Sequence, residues 1–354
     1  MRRTWHEDLA VTDRSSWRRP WSEVRGRFER ALPAEGGVVE ARPDLGGGAA
    51  TPSFTLPEGA GGGIATDLGE TRIGPRTFRW GAATHVMGIV NVTPDSFSGD
   101  GILADQPGET IARAVAMATA MAGDGAELLD VGGESTRPGH AVVDVDDELA
   151  RVVPVVAAIR AALPEVPISV DTTKPAVAGA AIEAGANLVN DVWGVAADDA
   201  LARLAGEQGV PLVVMHNRVE ARYRSFLAEV IADLERALER ALAAGCAWET
   251  LLVDPGFGFG KTPEHNLELL RRLDALHVLG RPIVLGTSRK STLGKVLDLP
   301  ADERLEATLA TTALAAAAGI DVVRVHDVRA NVRVARMTDA VVRRQAAATA
   351  GDPG

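Results

Sequence analysis

Short apolar runs recur along the chain from about residue 86 onward, and longer segments with helical spacing of apolar residues separate them. Such short runs, bounded by polar and turn residues, are typical of strands that are buried on both faces. Eight strands are predicted, at 86–90, 127–131, 167–171, 187–190, 211–215, 250–254, 282–286 and 321–325. Eight helices are predicted after them, near 109–123, 146–163, 174–184, 198–208, 223–244, 263–279, 302–318 and 327–346.

This alternation predicts an α/β fold, and eight strand–helix units favour a parallel (β/α)8 TIM barrel over a doubly wound sheet. The first strand also lacks the glycine-rich phosphate-binding turn that nucleotide-binding doubly wound sheets carry. A short β-hairpin is predicted ahead of the barrel at 71–80, with Gly74-Pro75 as its turn.

Helix boundaries carry their own signals. Residues suited to capping a helix start are Asp144, Asp198-Asp199 and Thr262-Pro263. Glycines suited to a left-handed cap lie just past predicted helix ends, at Gly125, Gly185, Gly209, Gly245, Gly280 and Gly319.

Residues 1–70 have a different composition from the barrel region. An arginine- and acid-rich stretch is followed by residues 33–63, which are rich in Gly, Ala and Pro. Such a composition buries too little apolar surface to offset the entropy of the chain, so we predict a largely disordered N-terminal extension. The barrel is expected over 71–346, and residues 347–354 are expected to form a disordered tail.

Composition narrows the class of protein further. A hydrophobic fraction of 46% supports a sizeable core. A net charge of -11 argues against nucleic-acid binding, although this net charge is compatible with a basic pocket at one place on the protein. The single Cys246 excludes an intrachain disulfide and fits a reducing compartment. With neither a secretory signal nor an apolar run of about 20 residues, we expect a cytoplasmic protein without membrane contact.

Polar side chains close nearly every predicted strand. In (β/α)8 barrels, catalytic groups lie at the carboxyl ends of the strands. The residues at these ends are Asn91, Asp130, Asp171, Asn190-Asp191, Met215-His216, Asp254 and Arg324-Val-His326, and the seventh strand runs into Thr287-Ser-Arg-Lys-Ser291. Any one of them could cap a turn, but the recurrence of amides and carboxylates indicates a shared site.

One set of these residues suits a flat heterocycle. The Asp171 and Asp254 carboxylates can accept paired hydrogen bonds from an amino-pyrimidine edge, and the Asn190 amide can donate and accept. Lys290 adds a donor for a ring oxo group.

A second set suits an anion. Arg324 and His326 belong to strand eight, which in a barrel closes onto the strand that ends at Asn91, and Arg and His both bind anions. The Asn91 amide oxygen is a reasonable hard ligand for Mg2+ beside a pyrophosphate.

Several motifs closely resemble those of dihydropteroate synthases. The first two are Met87-Gly-Ile-Val-Asn-Val-Thr-Pro-Asp-Ser-Phe-Ser98 and Asp130-Val-Gly-Gly-Glu-Ser-Thr-Arg-Pro-Gly139. Further blocks in the same order are Ser169-Val-Asp-Thr-Thr-Lys174, Val189-Asn-Asp191, Asp254-Pro-Gly-Phe-Gly-Phe-Gly-Lys261, Ser288-Arg-Lys-Ser291 and Arg324-Val-His-Asp-Val328. The resemblance runs from about residue 72 to 346 and touches every predicted barrel strand.

The resemblance implies a transferase of folate biosynthesis that is a target of sulfonamides. Its reaction joins 6-hydroxymethyl-7,8-dihydropterin pyrophosphate to p-aminobenzoate and releases pyrophosphate, with Mg2+ as cofactor, through a pterin-methylene cation. The resemblance also implies a homodimer, because barrels of this family commonly pair through their last helices.

The resemblance also implies roles for individual residues. The pterin would be held by Asp171, Asn190, Met215, Asp254 and Lys290, and the pyrophosphate by Thr136, Arg324 and His326. The p-aminobenzoate pocket would be formed by Phe97, Thr136, Pro138, Phe259, Lys290 and Ser291. Asn91 would bind Mg2+, and the catalytic groups would be Asp95, Asp100, Lys290, Arg324 and His326.

Two segments depart from the family pattern. The first loop has Ser98-Gly-Asp-Gly101 where the family usually has Ser-Asp-Gly-Gly, so its second carboxylate, Asp100, is shifted by one position. After His216, a usual Gly-containing continuation is replaced by Asn217-Arg-Val-Glu-Ala-Arg-Tyr-Arg224.

Two alternative functions stay open. The shifted carboxylate is the only feature that favours a catalytically silent pterin-binding paralogue. A pterin-dependent methyltransferase with the same barrel would be expected to lack the Thr-Pro-Asp-Ser-Phe loop and the Ser-Arg-Lys-Ser run, and both are present.

Overall fold

A computed structural model of the chain describes residues 68–93, 101–104, 106–134, 143–193 and 199–343. The predicted tail, and nearly all of the predicted N-terminal extension, lie outside these ranges. The strands are β1 (Glu70–Ile73), β2 (Arg76–Arg79), β3 (His85–Asn91), β4 (Leu128–Gly132), β5 (Ile168–Asp171), β6 (Leu188–Asp191), β7 (Leu212–Met215), β8 (Leu251–Asp254), β9 (Val284–Leu285) and β10 (Val322–Val325). The α-helices are α1 (Pro107–Gly123), α2 (Val145–Ala162), α3 (Pro175–Glu183), α4 (Ala200–Gln208), α5 (Phe226–Ala243), α6 (Pro263–Arg271), α7 (Ser291–Leu297), α8 (Leu305–Ala317) and α9 (Val328–Val342).

Strands β3 to β10 form one parallel sheet that curls into a barrel. Their hydrogen-bonded order is β8-β7-β6-β5-β4-β3-β10-β9, and a parallel bridge between Val253 and Ile283 joins the two end strands. The predicted TIM barrel is therefore confirmed. None of the helices in the described ranges has the length and apolar character that crossing a membrane needs.

Helix boundaries differ from the prediction in the last third of the chain. The segment predicted as one helix at 263–279 divides into α6 and the 3-10 helix Leu273–Leu279, and α8 begins only after the 3-10 turn Ala301–Glu303. Helix α7 was not predicted at all. It contains Gly294, which lies against the Arg304 guanidinium: a Cβ there would lie 2.2 Å from Nη2 of Arg304.

Most of the predicted caps form. The Asp144 carboxylate accepts from the Asp146 N–H at 2.9 Å, and the Thr262 hydroxyl accepts from the His265 N–H at 3.3 Å in a capping box. Each of the six glycines predicted to follow a helix has a positive φ. Of the predicted pair Asp198-Asp199, Asp198 lies outside the described residues. The side-chain cap predicted at Asp199 is wrong, because the Asp199 carboxylate accepts from Arg240 at 3.0 Å instead.

The predicted hairpin is confirmed, and it closes one end of the barrel. Strands β1 and β2 pair antiparallel, and Ile73, Phe78 and Trp80 enter an apolar cluster with the first inward-facing residues of the barrel strands. Those residues are Met87, Leu128, Leu188, Val213, Leu252, Val284 and Val322. Because they lie near the strand starts, the hairpin covers the amino end and leaves the carboxyl end for chemistry.

We call this apolar cluster of hairpin and barrel residues the apolar plug. The hairpin turn provides a test of how tightly the hairpin packs against the barrel. Gly74 has a φ of +56°, and a Cβ there would lie 2.4 Å from Cγ of Asn187. Gly81 has a φ of +77° but open space around it. We expect Gly81→Ala to lower the free energy of unfolding by about 1 kcal/mol, the cost of a left-handed alanine.

Gly74→Ala is expected to lower the free energy of unfolding by roughly 1 kcal/mol more than Gly81→Ala does, because Asn187 must give up its hydrogen bonds to Arg160 and to the Ile168 N–H. Urea denaturation of both variants measures the difference. Equal losses would mean that Asn187 moves aside without cost.

Candidate active site

A layer of polar side chains lies directly above the apolar plug. Side chains alternate between the two faces of a strand, so a residue two positions beyond an inward-facing one also faces inward. Two positions after plug residues lie Asp130, Asn190, Met215, Asp254 and Arg324. The strand pairing sets Asp171 beside Asn190, and Met215 beside Asp254. The polar residues at the strand ends therefore converge on the carboxyl mouth of the barrel.

Arg324 is the central cation of this layer. Its Nε donates to Oδ2 of Asp130 at 2.5 Å, and its Nη2 donates to Oδ2 of Asp171 at 2.8 Å. The Asn190 amide also donates to Oδ2 of Asp130, at 3.2 Å. One buried guanidinium thus fixes side chains from β4 and β5, and Asp130 extends the network to β6.

Burial and charge shift the titration of these groups in opposite senses. Burial raises the pKa of the Asp171 carboxyl to about 7, against the opposing effect of the Arg324 charge. Burial works to lower the pKa of Arg324, but Asp130 and Asp171 outweigh it and hold that pKa above its usual value. Arg324 therefore stays charged, and its charge favours the ionised form of Asp171 against the effect of burial on the Asp171 pKa.

Unpaired acceptors line the same wall. Oδ1 of Asp130, Oδ1 of Asp171 and Oγ of Ser169 are buried and have no hydrogen-bond partner among the described residues. Buried polar atoms in proteins are nearly always paired. These atoms form a surface suited to a ligand that brings several N–H donors.

Asp254 completes this acceptor wall from β8. Its Oδ1 accepts from the Gly256 N–H at 2.6 Å, which fixes the carboxylate at the end of the strand. Burial raises the pKa of Asp254, while the Lys290 charge and the Gly256 bond work to lower it.

Lys290 lies close to Asp254, because it follows β9, the strand next to β8. Its ammonium donates to the Phe257 carbonyl and lies 4.4 Å from the ring centroid of Phe259. A Cβ on Gly286 would lie 3.9 Å from Nζ of Lys290 and 3.8 Å from Cβ of Arg324. The two cations therefore flank the end of β9.

In the segment before α7, the adjacent residues Arg289 and Lys290 contact different parts of the protein: Arg289 binds Asp327, and Lys290 binds the Phe257 carbonyl. Arg289 has a φ of +56°, which is uncommon for a residue other than glycine. Its guanidinium binds both carboxylate oxygens of Asp327, at 2.8 and 3.1 Å, and its carbonyl accepts from Arg304. Ser288 meanwhile accepts from the His326 N–H at 3.2 Å and lies 2.9 Å from its Nδ1. One short segment thus orients Lys290 and His326 together.

The loop after β8 follows a close path that requires glycine. A Cβ on Gly256 would lie 1.8 Å from the His216 carbonyl oxygen, and one on Gly260 would lie 2.3 Å from that of Arg218. Both glycines also have a positive φ. This glycine loop (residues 255–262) leaves Phe257 buried and Phe259 partly exposed beside Lys290.

The described part of the chain places most of the predicted site residues at one mouth. These are Asp171, Asn190, Met215, Asp254, Phe259, Lys290, Arg324 and His326. Asn91 ends β3 beside Gly132, and Ser291 opens α7 with an exposed side chain. Asp95, Phe97, Asp100, Thr136 and Pro138 lie outside the described residues.

Asp130 is the site residue that the sequence prediction missed. It was recognised as a strand end but given no role, although it joins Arg324 to Asn190. The available signal was its position two residues after the inward-facing Leu128.

Within the described ranges, no three His, Cys, Asp or Glu side chains cluster as a metal site. A single amide oxygen at Asn91 suits Mg2+, which keeps most of its waters and binds substrate phosphates.

The sequence that forms this mouth is similar to known pterin-binding proteins. A family described as pterin binding enzyme matches residues 87–326. The dihydropteroate synthase of Clostridium beijerinckii is 46% identical over 274 residues, which cover 77% of this chain and 100% of that protein. The Bacillus subtilis dihydropteroate synthase is 45% identical over 268 residues, covering 76% and 92%.

Solved structures give the same likeness. A dihydropteroate synthase from Clostridium difficile, determined in the presence of pteroic acid, has a TM-score of 0.71 and 45% identity. The match covers 75% of this chain and 100% of that one. The Yersinia pestis dihydropteroate synthase in complex with a sulfonamide drug has a TM-score of 0.72 and 38% identity, covering 77% and 99%.

Proposed function

Because the chain belongs to the dihydropteroate synthase family, we propose that it joins 6-hydroxymethyl-7,8-dihydropterin pyrophosphate to p-aminobenzoate. The products are 7,8-dihydropteroate and pyrophosphate, in folate biosynthesis. One observation carries the proposal: the wall of unpaired buried acceptors stands beside Arg324 at the carboxyl mouth. That arrangement suits a donor-rich flat ring joined to an anionic leaving group.

The pterin binds against the acceptor wall. Oδ1 of Asp171 and the Asp254 carboxylate accept from the amino and ring N–H groups, and Asn190 both donates and accepts. Met215, beside Asp254 in the sheet, packs on the face of the ring. Lys290, which lies next to Asp254, donates to the ring oxo group.

The pyrophosphate leaves toward the cations. The C–O bond to the pterin methylene breaks, and its electron pair departs with the pyrophosphate. Arg324 and His326 stabilise the charge that develops on the leaving oxygens. Asn91 is the residue that would hold Mg2+ through its amide oxygen, and the ion would supply positive charge that stabilises the leaving group.

The remaining steps use the cationic pterin methylene. Asp95 and Asp100 stabilise that cation electrostatically, and the lone pair of the p-aminobenzoate amine forms the new C–N bond before the amine loses a proton. Phe259 and Ser291 shape the p-aminobenzoate pocket together with Phe97, Thr136 and Pro138. The position of Phe259 under the Lys290 ammonium supports this assignment.

Turnover by the purified protein tests the proposal. We expect pyrophosphate release that requires p-aminobenzoate and Mg2+ together, that stops on chelation of the metal, and that sulfonamides inhibit competitively with p-aminobenzoate. No release from both substrates would reject the proposed reaction. Calorimetric binding of the pterin without release would indicate a catalytically silent pterin-binding protein instead.

A further inference from the structure

The glycine loop (residues 255–262) is connected to helix α5 by a chain of hydrogen-bonded polar groups centred on the buried His216. Nζ of Lys261 donates to the Phe259 carbonyl at 3.0 Å and lies 2.7 Å from Nδ1 of His216. The other ring nitrogen of His216 lies 3.1 Å from Oδ2 of Asp233. The His216 side chain has no exposed surface, so these two contacts account for both of its nitrogens.

The protonation of this chain follows from its surroundings. Burial lowers the pKa of His216 to about 4, against the opposing effect of its bond to Asp233, so the ring is neutral at neutral pH. A neutral imidazole has one donor and one acceptor. With an ammonium on one side and a carboxylate on the other, Nε2–H donates to Asp233 and Nδ1 accepts from Lys261.

The charge on Lys261 is balanced among several groups. Burial lowers the pKa of its ammonium to about 7, and Asp254 works against that change. The charged groups that face it are Asp254 from β8, Lys290 from the segment before α7, Arg218 from the segment after β7, and Asp233 from α5. Its charge in turn lowers the pKa of Asp254, against the larger effect of burial.

The segment after β7 grips the same loop at a second point. The Tyr223 hydroxyl donates to the Gly260 carbonyl at 2.7 Å, and the Arg218 guanidinium lies 4.5 Å from the Tyr223 ring centroid. Arg218 also donates to Asp233 at 2.7 Å. This segment is the one whose sequence departs from the usual Gly-containing continuation of the family. The glycine loop is therefore held through the carbonyls of Phe259 and Gly260 and through the side chain of Lys261.

We propose that Lys261 is a positioning residue for the proposed reaction. It holds the Phe259 carbonyl, ties the glycine loop to α5 through His216 and Asp233, and keeps a positive charge near Asp254, so it acts through these groups. The inference rests on the proposed function for its substrate, but the chain of hydrogen bonds can be tested without turnover.

The kinetic test compares Lys261→Met with Lys295→Met, which changes an exposed lysine of α7. We expect Lys261→Met to raise the KM for p-aminobenzoate about tenfold, the effect of losing hydrogen bonds to a charged group, with kcat changed by less than about threefold. Lys295→Met should leave both constants unchanged. An unchanged KM in folded Lys261→Met would overturn the inference.

The pH dependence of the same constant provides a readout that a purely structural role would not move. In the wild type, Lys261 is charged below about pH 7 and loses its proton above it. The KM for p-aminobenzoate should therefore rise between pH 6 and 8.5, by up to roughly the tenfold change seen in the variant. In Lys261→Met this rise should be absent. A rise of the same size in the variant would contradict the assignment.

Nitrogen NMR of the histidine rings tests the hydrogen-bond chain from Lys261 through His216 to Asp233 without measuring activity. His216, identified by the signal that disappears in His216→Gln, should be an Nε2–H tautomer that stays neutral down to about pH 5. Protonation above pH 6, or an Nδ1–H tautomer, would overturn the inference even in an active protein. If the wild type shows no turnover, the proposed function fails while this spectrum still decides the hydrogen-bond chain.

Discussion

Arg324→Met is expected to lower kcat/KM for pyrophosphate release by about a thousandfold, the upper range for removing one preorganised donor from a developing charge. The same change removes the only cation that bonds both Asp130 and Asp171 within the described residues. Leaving buried carboxylates without their partner costs about 3–5 kcal/mol of folding free energy. Without the opposing charge of Arg324, the pKa of Asp171 should also rise further, which weakens this carboxylate as a pterin acceptor.

Steady-state kinetics and urea denaturation measure the two losses separately. Arg329→Met is the matched control, because Arg329 forms an exposed pair with Asp124 on the outer surface. Such a pair contributes about 0–1 kcal/mol, so activity and stability should be nearly unchanged.

A double variant separates the structural role of Arg324 from the catalytic one. Adding Asp130→Asn to Arg324→Met removes one unpaired buried charge, so part of the lost stability should return. Activity should not return, because the Arg324 guanidinium that stabilises the leaving pyrophosphate is still absent. Recovery of activity with stability would show that Arg324 acts only by holding the barrel mouth together.

The strand ends could be predicted because their signal is local. A buried strand followed by a polar residue is visible in a few consecutive positions, and the end-of-strand rule for barrels then brings Asp171, Asn190 and Asp254 together. The network around Asp130 is not local. Its partners Asn190 and Arg324 are 60 and 194 positions away in the chain, and only closure of the barrel sets them side by side.

The missed elements also depend on tertiary contacts. Helix α7 contains Gly294, a weak helix former, and the Arg304 guanidinium lies against that glycine. Asp199 has the side chain of a good cap, but Arg240 from the neighbouring helix α5 takes its carboxylate. The roles of Asp95, Phe97, Asp100, Thr136 and Pro138, together with Mg2+ and the homodimer, stay predictions from the resemblance.

The packing around Lys290 makes it a second position where a large loss is expected. Its ammonium donates to the Phe257 carbonyl and faces Phe259, and its charge lowers the pKa values of both Asp171 and Asp254 against the effect of burial. In the proposed reaction it also donates to the pterin oxo group. Lys290→Met should therefore lower kcat/KM about a hundredfold, the lower range for removing such a donor.

The pH profile of kcat/KM identifies the electrostatic part of this loss. Because Lys290 favours the ionised forms of Asp171 and Asp254, its removal raises their pKa values, and the acid limb of the profile should move to higher pH. Lys290→Arg should not restore full activity, since a planar guanidinium is larger than the ammonium that donates to the Phe257 carbonyl and lies 4.4 Å from the Phe259 ring centroid. Full activity in Lys290→Arg would show that charge alone is required. An acid limb that stays in place in Lys290→Met would show that Lys290 acts through contact with the ring rather than through the two carboxylates.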